Sequence, residues 1–432
     1  MQEEVTAQKR SDQSFRAYVI RQFRKNKLAV ASFYFALFLA LIALFADFLA
    51  NEKPIVARYK GTLIFPMFRQ YAVDFGFSKW EAELQNVKWQ DLDYDFVMWP
   101  LVPYLPQNLD FANAQYTSPT DNQKVKSKRW WHWLGTDHIG RDVLAGMIHG
   151  TRIAFLVGLI SMSIAALIGI IMGSLAGYFG DDHLRMSRVR IALNVLSIFF
   201  AFYYAFGARS FILSDAITVS IPAFLGEFSI SITLFIFIFA VGNLLAVPLK
   251  KIPYLGKQIA VPMDIIISRI IEIMVSIPTL FLIIGIVAIV KPNIFWVMVV
   301  IGFTSWMSIA RFIRAELLRV RSLEYIEAAR ALGYSGVRTL MKHAIPNALS
   351  PVLISIAFGI ASAILVESFL SFLGLGVAAD TITWGKLLSF ARQSPTAWWL
   401  AIFPGLAIFI TVTVFNLIGE GLTDALDPRL KS

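Results

Sequence analysis

The chain has 432 residues, 57% of them hydrophobic and only 16% charged, with a mean hydropathy of +0.64. That balance excludes an ordinary water-soluble globule, and the absence of cysteine removes disulfide frameworks and thiolate metal sites from consideration. A net charge of +10 invites a nucleic-acid reading, but these lysines and arginines flank apolar stretches instead of forming one face, so membrane topology accounts for them.

Residues 1–27 carry Lys9, Arg10, Arg16, Arg21, Arg24, Lys25 and Lys27. So basic a flank belongs on the cytoplasmic side of a first span. That span, 28–50, has the roughly 20-residue apolar length a bilayer requires, and with no cleavage pattern it is expected to be retained. Residues 51–131 interleave Phe65, Phe68, Tyr71, Trp80, Trp89, Tyr94, Trp99 and Tyr104 with polar side chains, too rich a mixture for a linker. Alternation at Thr62-Leu63-Ile64-Phe65 predicts strands, and the segment as a whole predicts a small folded cap outside the membrane.

The second core helix region, 132–180, contains an apolar span at 152–178. Just before it, Thr136 or Asp137 is expected to cap the helix, with Asp142 favouring its first turn. No third group completes a reaction with His138, Asp137 or Asp142, so their role is expected to be structural and no catalytic residue is assigned. Residues 181–260 hold two further apolar segments, within 189–213 and 228–249, which form an inserted transmembrane hairpin leaving from and returning to one side. The rest, 261–432, contains spans at 263–290, 294–313, 351–373 and 399–422, with a kink expected at Pro278. Eight crossings put both termini in the cytoplasm. Arg185, Arg188, Arg190, Lys250, Lys251, Lys257, Arg314, Arg319 and Arg321 then also fall inside, while residues 214–227 lack lysine and arginine and Lys291 is alone in its turn.

Between the spans at 294–313 and 351–373 lies a polar loop, 322–346. Its first helix is predicted from Leu323 to Leu332, N-capped by Ser322 and ended by Gly333 in the left-handed conformation. A second helix begins near Ser335, with Val337, Leu340, Met341 and Ala344 on one face, and stops before Pro346. Ala328 and Ala329 allow close approach to another surface, and Glu327, Arg330, Arg338 and Lys342 can set register by charge, so the loop has the makings of a docking element.

The pattern Glu327-Ala328-Ala329 with Gly333, followed by Ile345-Pro346, resembles the EAA loop in the permease subunits of ABC importers. The run from Trp133 to Leu144, leading to Gly150-Thr151-Arg152-Ile153, resembles a signature of the oligopeptide/dipeptide/nickel branch. Gly177-Tyr178-Phe179-Gly180, Ser276-Ile277-Pro278-Thr279-Leu280, the run from Glu367 to Gly376, Thr383-Trp384-Gly385, Phe403-Pro404-Gly405 and Asp424 to Arg429 are similar to its C-type subunit. The long first loop, with Tyr59-Lys60-Gly61 and Phe65-Pro66, looks most like the microcin C or oligopeptide relatives.

That resemblance implies an all-α integral membrane protein of the bacterial inner membrane. Its type I ABC importer permease core would have six transmembrane helices, here with two inserted helices and the extracytoplasmic cap; the 181–260 insertion departs from the family pattern. By resemblance, Glu327, Ala328, Ala329, Gly333, Ile345 and Pro346 couple to a separate ATPase, and two such ATPase subunits hold ATP and Mg while this chain carries no cofactor and no metal. A homologous permease supplies the other half of the pathway, and an extracytoplasmic binding protein delivers peptides. Beyond these partners the chain meets membrane lipid and no nucleic acid. The absence of any Gly-x-x-x-x-Gly-Lys-Ser/Thr run agrees with an engine on another polypeptide. Glu367, Ser368 and Ser371, a polar group within a span, are candidates to line the pathway. The rival reading is a single-chain ion-coupled secondary transporter with Glu272 and Glu367 as proton carriers. It requires internal repeats with matching broken helices, and none is clear.

Overall fold

The computed structural model describes residues 17–85 and 87–426; Lys9, Arg10, Arg16 and the closing Asp427-Pro428-Arg429 lie outside them. In chain order the principal elements are α1 (Lys27–Leu44), β1 (Val56–Tyr59), β2 (Thr62–Ile64), β3 (Phe96–Met98), α2 (Val143–Ser174), β4 (Arg185–Ser187), α3 (Arg188–Phe202) and α4 (Ile221–Leu249). There follow β5 (Gln258–Ala260), α5 (Met263–Ser276), α6 (Thr279–Ile289), α7 (Ile294–Val320), α8 (Glu324–Ala331), α9 (Ser350–Phe372), α10 (Trp384–Gln393) and α11 (Trp398–Leu426). Among the described residues seven helices are long and apolar enough to cross a membrane, or eight if the bent pair α5 and α6 counts as one span. The chain divides into two compact units, one of residues 1–64, 89–178 and 270–432, the other of 65–88 and 179–269.

In the first unit, β2, β1 and β3 form an antiparallel sheet in that order, Ala57 standing opposite both Ile64 and Val97. The alternation at 62–65 thus becomes an edge strand. Helix α2 starts nine residues earlier than the apolar run at 152 suggested, because its N-cap is Asp142, whose Oδ1 accepts from Ala145 N at 2.6 Å. Neither Thr136 nor Asp137 caps it. Asp137 instead holds the preceding turn, accepting from the backbone N–H groups of Ile139 and Arg141. The helix continues through one π turn, Leu175–Phe179.

Packing of α2 on α7 organises this unit. Gly169, Gly173 and Gly177 recur every four residues on one face, and small residues at this spacing let helix backbones meet. A Cβ at Gly173 would lie 2.6 Å from the Ala310 carbonyl oxygen and 2.8 Å from Ile313 Cβ, while at Gly177 it would lie 2.6 Å from the Arg314 carbonyl oxygen. Ser161 Oγ donates to Met298 O at 2.9 Å, so a polar side chain in the seam is satisfied across it. Val157, Ile283, Val287, Val297, Ile301 and Leu370 close the apolar core around this contact.

At Ile277-Pro278 the helix does not merely kink. Pro278 takes an extended ψ of 116° and acts as the N-cap of α6, and α5 and α6 meet at 82°. A proline cannot donate its N–H to the helical ladder, and it biases the preceding residue away from helical geometry, so the run breaks there.

In the second unit, β4 and β5 pair antiparallel, with Arg185 opposite Ala260 and Ser187 opposite Gln258. Asp181 Oδ1 accepts from the N–H groups of Asp264 and Ile265 at 3.1 and 3.2 Å. The two ends of the 181–260 insertion are therefore stitched together by a ribbon and a carboxylate. Helices α3 and α4 pack against each other above this stem, and their polar side chains find partners within the pair: Arg190 with Asn243, and Arg209 with Glu227 and Ser231.

Candidate functional site

Helix α8 presents two different faces. Ile326 and Ala329 are buried, whereas Tyr325, Glu327, Ala328 and Leu332 are exposed, Leu332 to 76%. The two alanines of the motif thus face opposite ways: Ala329 packs inside the chain and Ala328 faces outward. Ser322 does not cap α8, since its hydroxyl donates to Arg319 O; Leu323 occupies the cap position with no side-chain bond. Gly333 has φ of +82°, the left-handed conformation that ends the helix, and Tyr334 N donates back to Ala329 O at 3.1 Å.

The second arm also departs from the expected single face. Ser335 caps it, but the arm passes through a π turn at Leu340–Ala344 that leaves Leu340 and Ala344 buried and Val337 and Met341 exposed. The helix then resumes at Ile345–Ala348 with Pro346 in its first turn, where the missing N–H is harmless. A clamp not anticipated from the sequence shuts the base: Asn347 Nδ2 donates to Tyr325 Oη at 3.1 Å and to His343 O at 2.8 Å. Arg330 lies 5.2 Å from the Tyr178 ring centroid and Arg321 donates to Gly177 O, which ties the hairpin to the end of α2. Glu327 has no ion-pair partner among the described residues.

A groove of about 910 Å³ opens along α7, walled by α6 and α9. Its lining is mostly apolar with a hydroxyl stripe, Thr304, Ser305 and Ser308 on α7 and Ser355 and Ser362 on α9, and a single charge, Arg311. Glu367, Ser368 and Ser371 sit elsewhere on α9. Glu367 is only 2% exposed, accepts from Ser371 Oγ at 2.6 Å and from Ser368 Oγ at 3.4 Å, and is absent from the groove lining, although its neighbour Val366 belongs to it. Ser368 also lies beneath α10, where a Cβ at Gly385 would come within 2.2 Å of its carbonyl oxygen. The three residues therefore form a closed polar knot.

At the start of α2 a buried charge cluster was not legible as such. His132, with no exposed surface, holds Asp142 through Nδ1 at 2.8 Å and Asp110 through Nε2 at 3.2 Å, and stacks on Tyr104 at 4.5 Å. Burial opposes the imidazolium, yet the hydrogen bonds and charges of Asp110 and Asp142 prevail and push its pKa up to about 9. Burial likewise works against the Asp110 carboxylate, but hydrogen bonds from His132 and Asn113 hold its pKa below the usual value. A histidine raised from 6.5 to about 9 contributes its stabilisation in full below pH 6.5 and loses it as pH rises through 9. The expected loss is on the order of 3 kcal/mol. Thermal unfolding between pH 6 and 10 should fall over that window in the wild type and be flatter in His132→Gln; equal slopes in both would contradict the assignment.

Among the described residues no cluster of histidine, aspartate and glutamate could hold a metal ion. What the arrangement offers is mechanical: an exposed hairpin, a groove, and one helix, α7, that lines the groove and leads into the hairpin.

Comparison with known proteins bears on each part. Residues 255–432 match the family described as the binding-protein-dependent transport system inner membrane component, and residues 14–69 match the N-terminal transmembrane domain of oligopeptide transport permease C. The chain is 28% identical over 413 residues to the inner membrane ABC transporter permease protein YejE of Escherichia coli, covering 94% of this chain and 95% of that one. It is 26% identical over 430 residues to the peptidoglycan transport system permease protein YejE of Agrobacterium fabrum, covering 95% and 92%. It is also 28% identical over 322 residues to the dipeptide transport system permease protein DppC of Alkalihalophilus pseudofirmus, covering 74% and 80%.

Proposed function

This chain belongs to the permease components of binding-protein-dependent ABC transport systems, and on that premise we propose that it forms half of an inner-membrane pathway for peptides. Relatives named for dipeptide, oligopeptide and peptidoglycan transport support that substrate class. The other half is a homologous permease, ATP and Mg act on two separate ATPase subunits, and an extracytoplasmic binding protein hands over the peptide. Glu327, Ala328, Ala329, Gly333, Ile345 and Pro346 make the coupling element, with Glu327 and Ala328 on the docking face and Ala329 anchoring that face from within. Both termini and the hairpin lie in the cytoplasm.

The observation that carries the reading is the continuity of α7. It walls the groove with Thr304, Ser305, Ser308 and Arg311, and only three residues separate its end at Val320 from α8. A shift imposed on the hairpin reaches the groove through one helix held rigidly against α2, which is the kind of bistable, packed element that alternating access requires. Ion coupling through Glu272 and Glu367 finds no comparable support, since Glu367 is closed off from the groove.

The test uses the natural lack of cysteine. Ala328→Cys in the assembled transporter should react with a membrane-impermeant maleimide in inverted vesicles and not in intact cells, and peptide uptake should require ATP together with all the partner subunits. Labelling from the cell exterior, or full uptake by the isolated chain without ATP, would overturn the proposal.

A further inference from the structure

Resting on the peptide-import reading, we propose that Arg311 is the receiving point for the C-terminal carboxylate of the translocated peptide, so that peptides travel with the carboxyl end toward the coupling hairpin. Thr304 and Ser305 are adjacent, and Ser308 and Arg311 follow Ser305 at three-residue steps, which keeps all four on the groove face of α7. Three of the hydroxyl hydrogens are already committed within their own helices: Thr304 Oγ1 donates to Val300 O at 3.0 Å, Ser305 Oγ to Ile301 O at 2.7 Å, and Ser355 Oγ to Pro351 O at 3.0 Å. These groups therefore turn oxygen lone pairs to the groove and can accept from N–H groups of a peptide, but they have little to offer a carboxylate.

Arg311 supplies the opposite chemistry. It is the only charged side chain in the groove lining and the only one there bearing N–H donors, and it has no hydrogen-bond or ion-pair partner among the described residues. A charge within a spanning helix is costly and marks a site that a partner or substrate completes, and the planar guanidinium fork matches a carboxylate bidentately. Acceptors along the stripe and a lone cation at the end nearest the hairpin thus give the groove a polarity that complements a zwitterionic chain.

The experiment is uptake into proteoliposomes by the complete transporter, comparing a tetra-alanine with a free C-terminus and its C-terminal amide. Each is measured with wild type, Arg311→Gln and Arg311→Lys, in vesicles of phosphatidylcholine with and without phosphatidylglycerol. The ratio of free-acid to amide uptake should fall about tenfold in Arg311→Gln, with amide uptake itself nearly unchanged, and should be partly kept in Arg311→Lys. Comparing this ratio between wild type and variant cancels any preference of the binding protein. An Arg311→Gln variant that slows both peptides alike would assign the residue to the partner permease or to structure. Loss of a phosphatidylglycerol dependence with the ratio unchanged would assign it to a lipid headgroup; either result overturns the proposal. A wild-type complex that moves neither peptide fails the peptide reading itself, and this assignment falls with it; failure of the ratio alone leaves that reading standing.

Discussion

Ala328→Trp is expected to strip the ATPase subunits from the transporter while this chain still inserts into the membrane at its normal level. Ala328 is exposed beside Glu327, Tyr325 and Leu332, so an indole there meets none of the chain's own core. It does obstruct a surface whose usefulness rests on a small side chain approaching another protein closely. Obstructing the centre of such an interface costs about 2–4 kcal/mol, a roughly 30- to 1000-fold loss of association. Glu327→Lys should act the same way by reversing an unpaired charge on that face, and it should also show salt dependence. The contrasting variant is Ala329→Trp. Ala329 is 6% exposed and shares its buried face with Ile326, which is fully buried, so overpacking there should lower the stability of the hairpin itself by about 1–3 kcal/mol. Co-purification of the ATPase with the tagged chain, alongside membrane abundance, separates the two faces. An Ala328→Trp chain that retains its ATPase and its uptake would remove the hairpin from the coupling role.

The sequence carried the membrane class, the spans and the hairpin clearly, because each rests on a local and periodic signal: an apolar run, a basic flank, an alanine pair before a glycine. It was silent where the deciding partner lies far along the chain. Asp181 and Asp264 are 83 residues apart, yet the carboxylate of one takes the backbone N–H of the other, and no spacing rule reveals that the ends of the insertion meet. His132 stands just before the run from Trp133 to Leu144, and its second carboxylate, Asp110, comes from the preceding loop. Helical spacing placed Val337, Leu340, Met341 and Ala344 together, but a π turn adds a residue to the repeat and rotates half of them outward. Glu367 was a natural pathway candidate as an acidic group within a span. Two hydroxyls on its own helix bond to it, and the charge in the groove is Arg311, which lies inside the 294–313 apolar run and carries no spacing signal of its own.

Gly173→Leu is expected to be strongly destabilising. The first side-chain carbon would already meet the Ala310 carbonyl oxygen at 2.6 Å and Ile313 Cβ at 2.8 Å, and a backbone oxygen cannot rotate away as a flexible side chain can. The helices must therefore part, the neighbouring approaches at Gly169 and Gly177 open with them, and the Ser161 to Met298 hydrogen bond is stretched. A loss of about 3–5 kcal/mol follows, read as a lower unfolding temperature in detergent and reduced membrane abundance. Gly173→Ala probes function more finely. It forces a smaller separation, about 1–3 kcal/mol, and loosens the one helix that walls the groove and leads into the hairpin. ATP hydrolysis by the assembled complex should then persist while peptide moved per ATP declines. A Gly173→Leu chain as stable as wild type would mean that the α2–α7 seam is not the rigid link between hairpin and groove, and an unchanged transport-to-hydrolysis ratio in Gly173→Ala would mean that the coupling runs through another element.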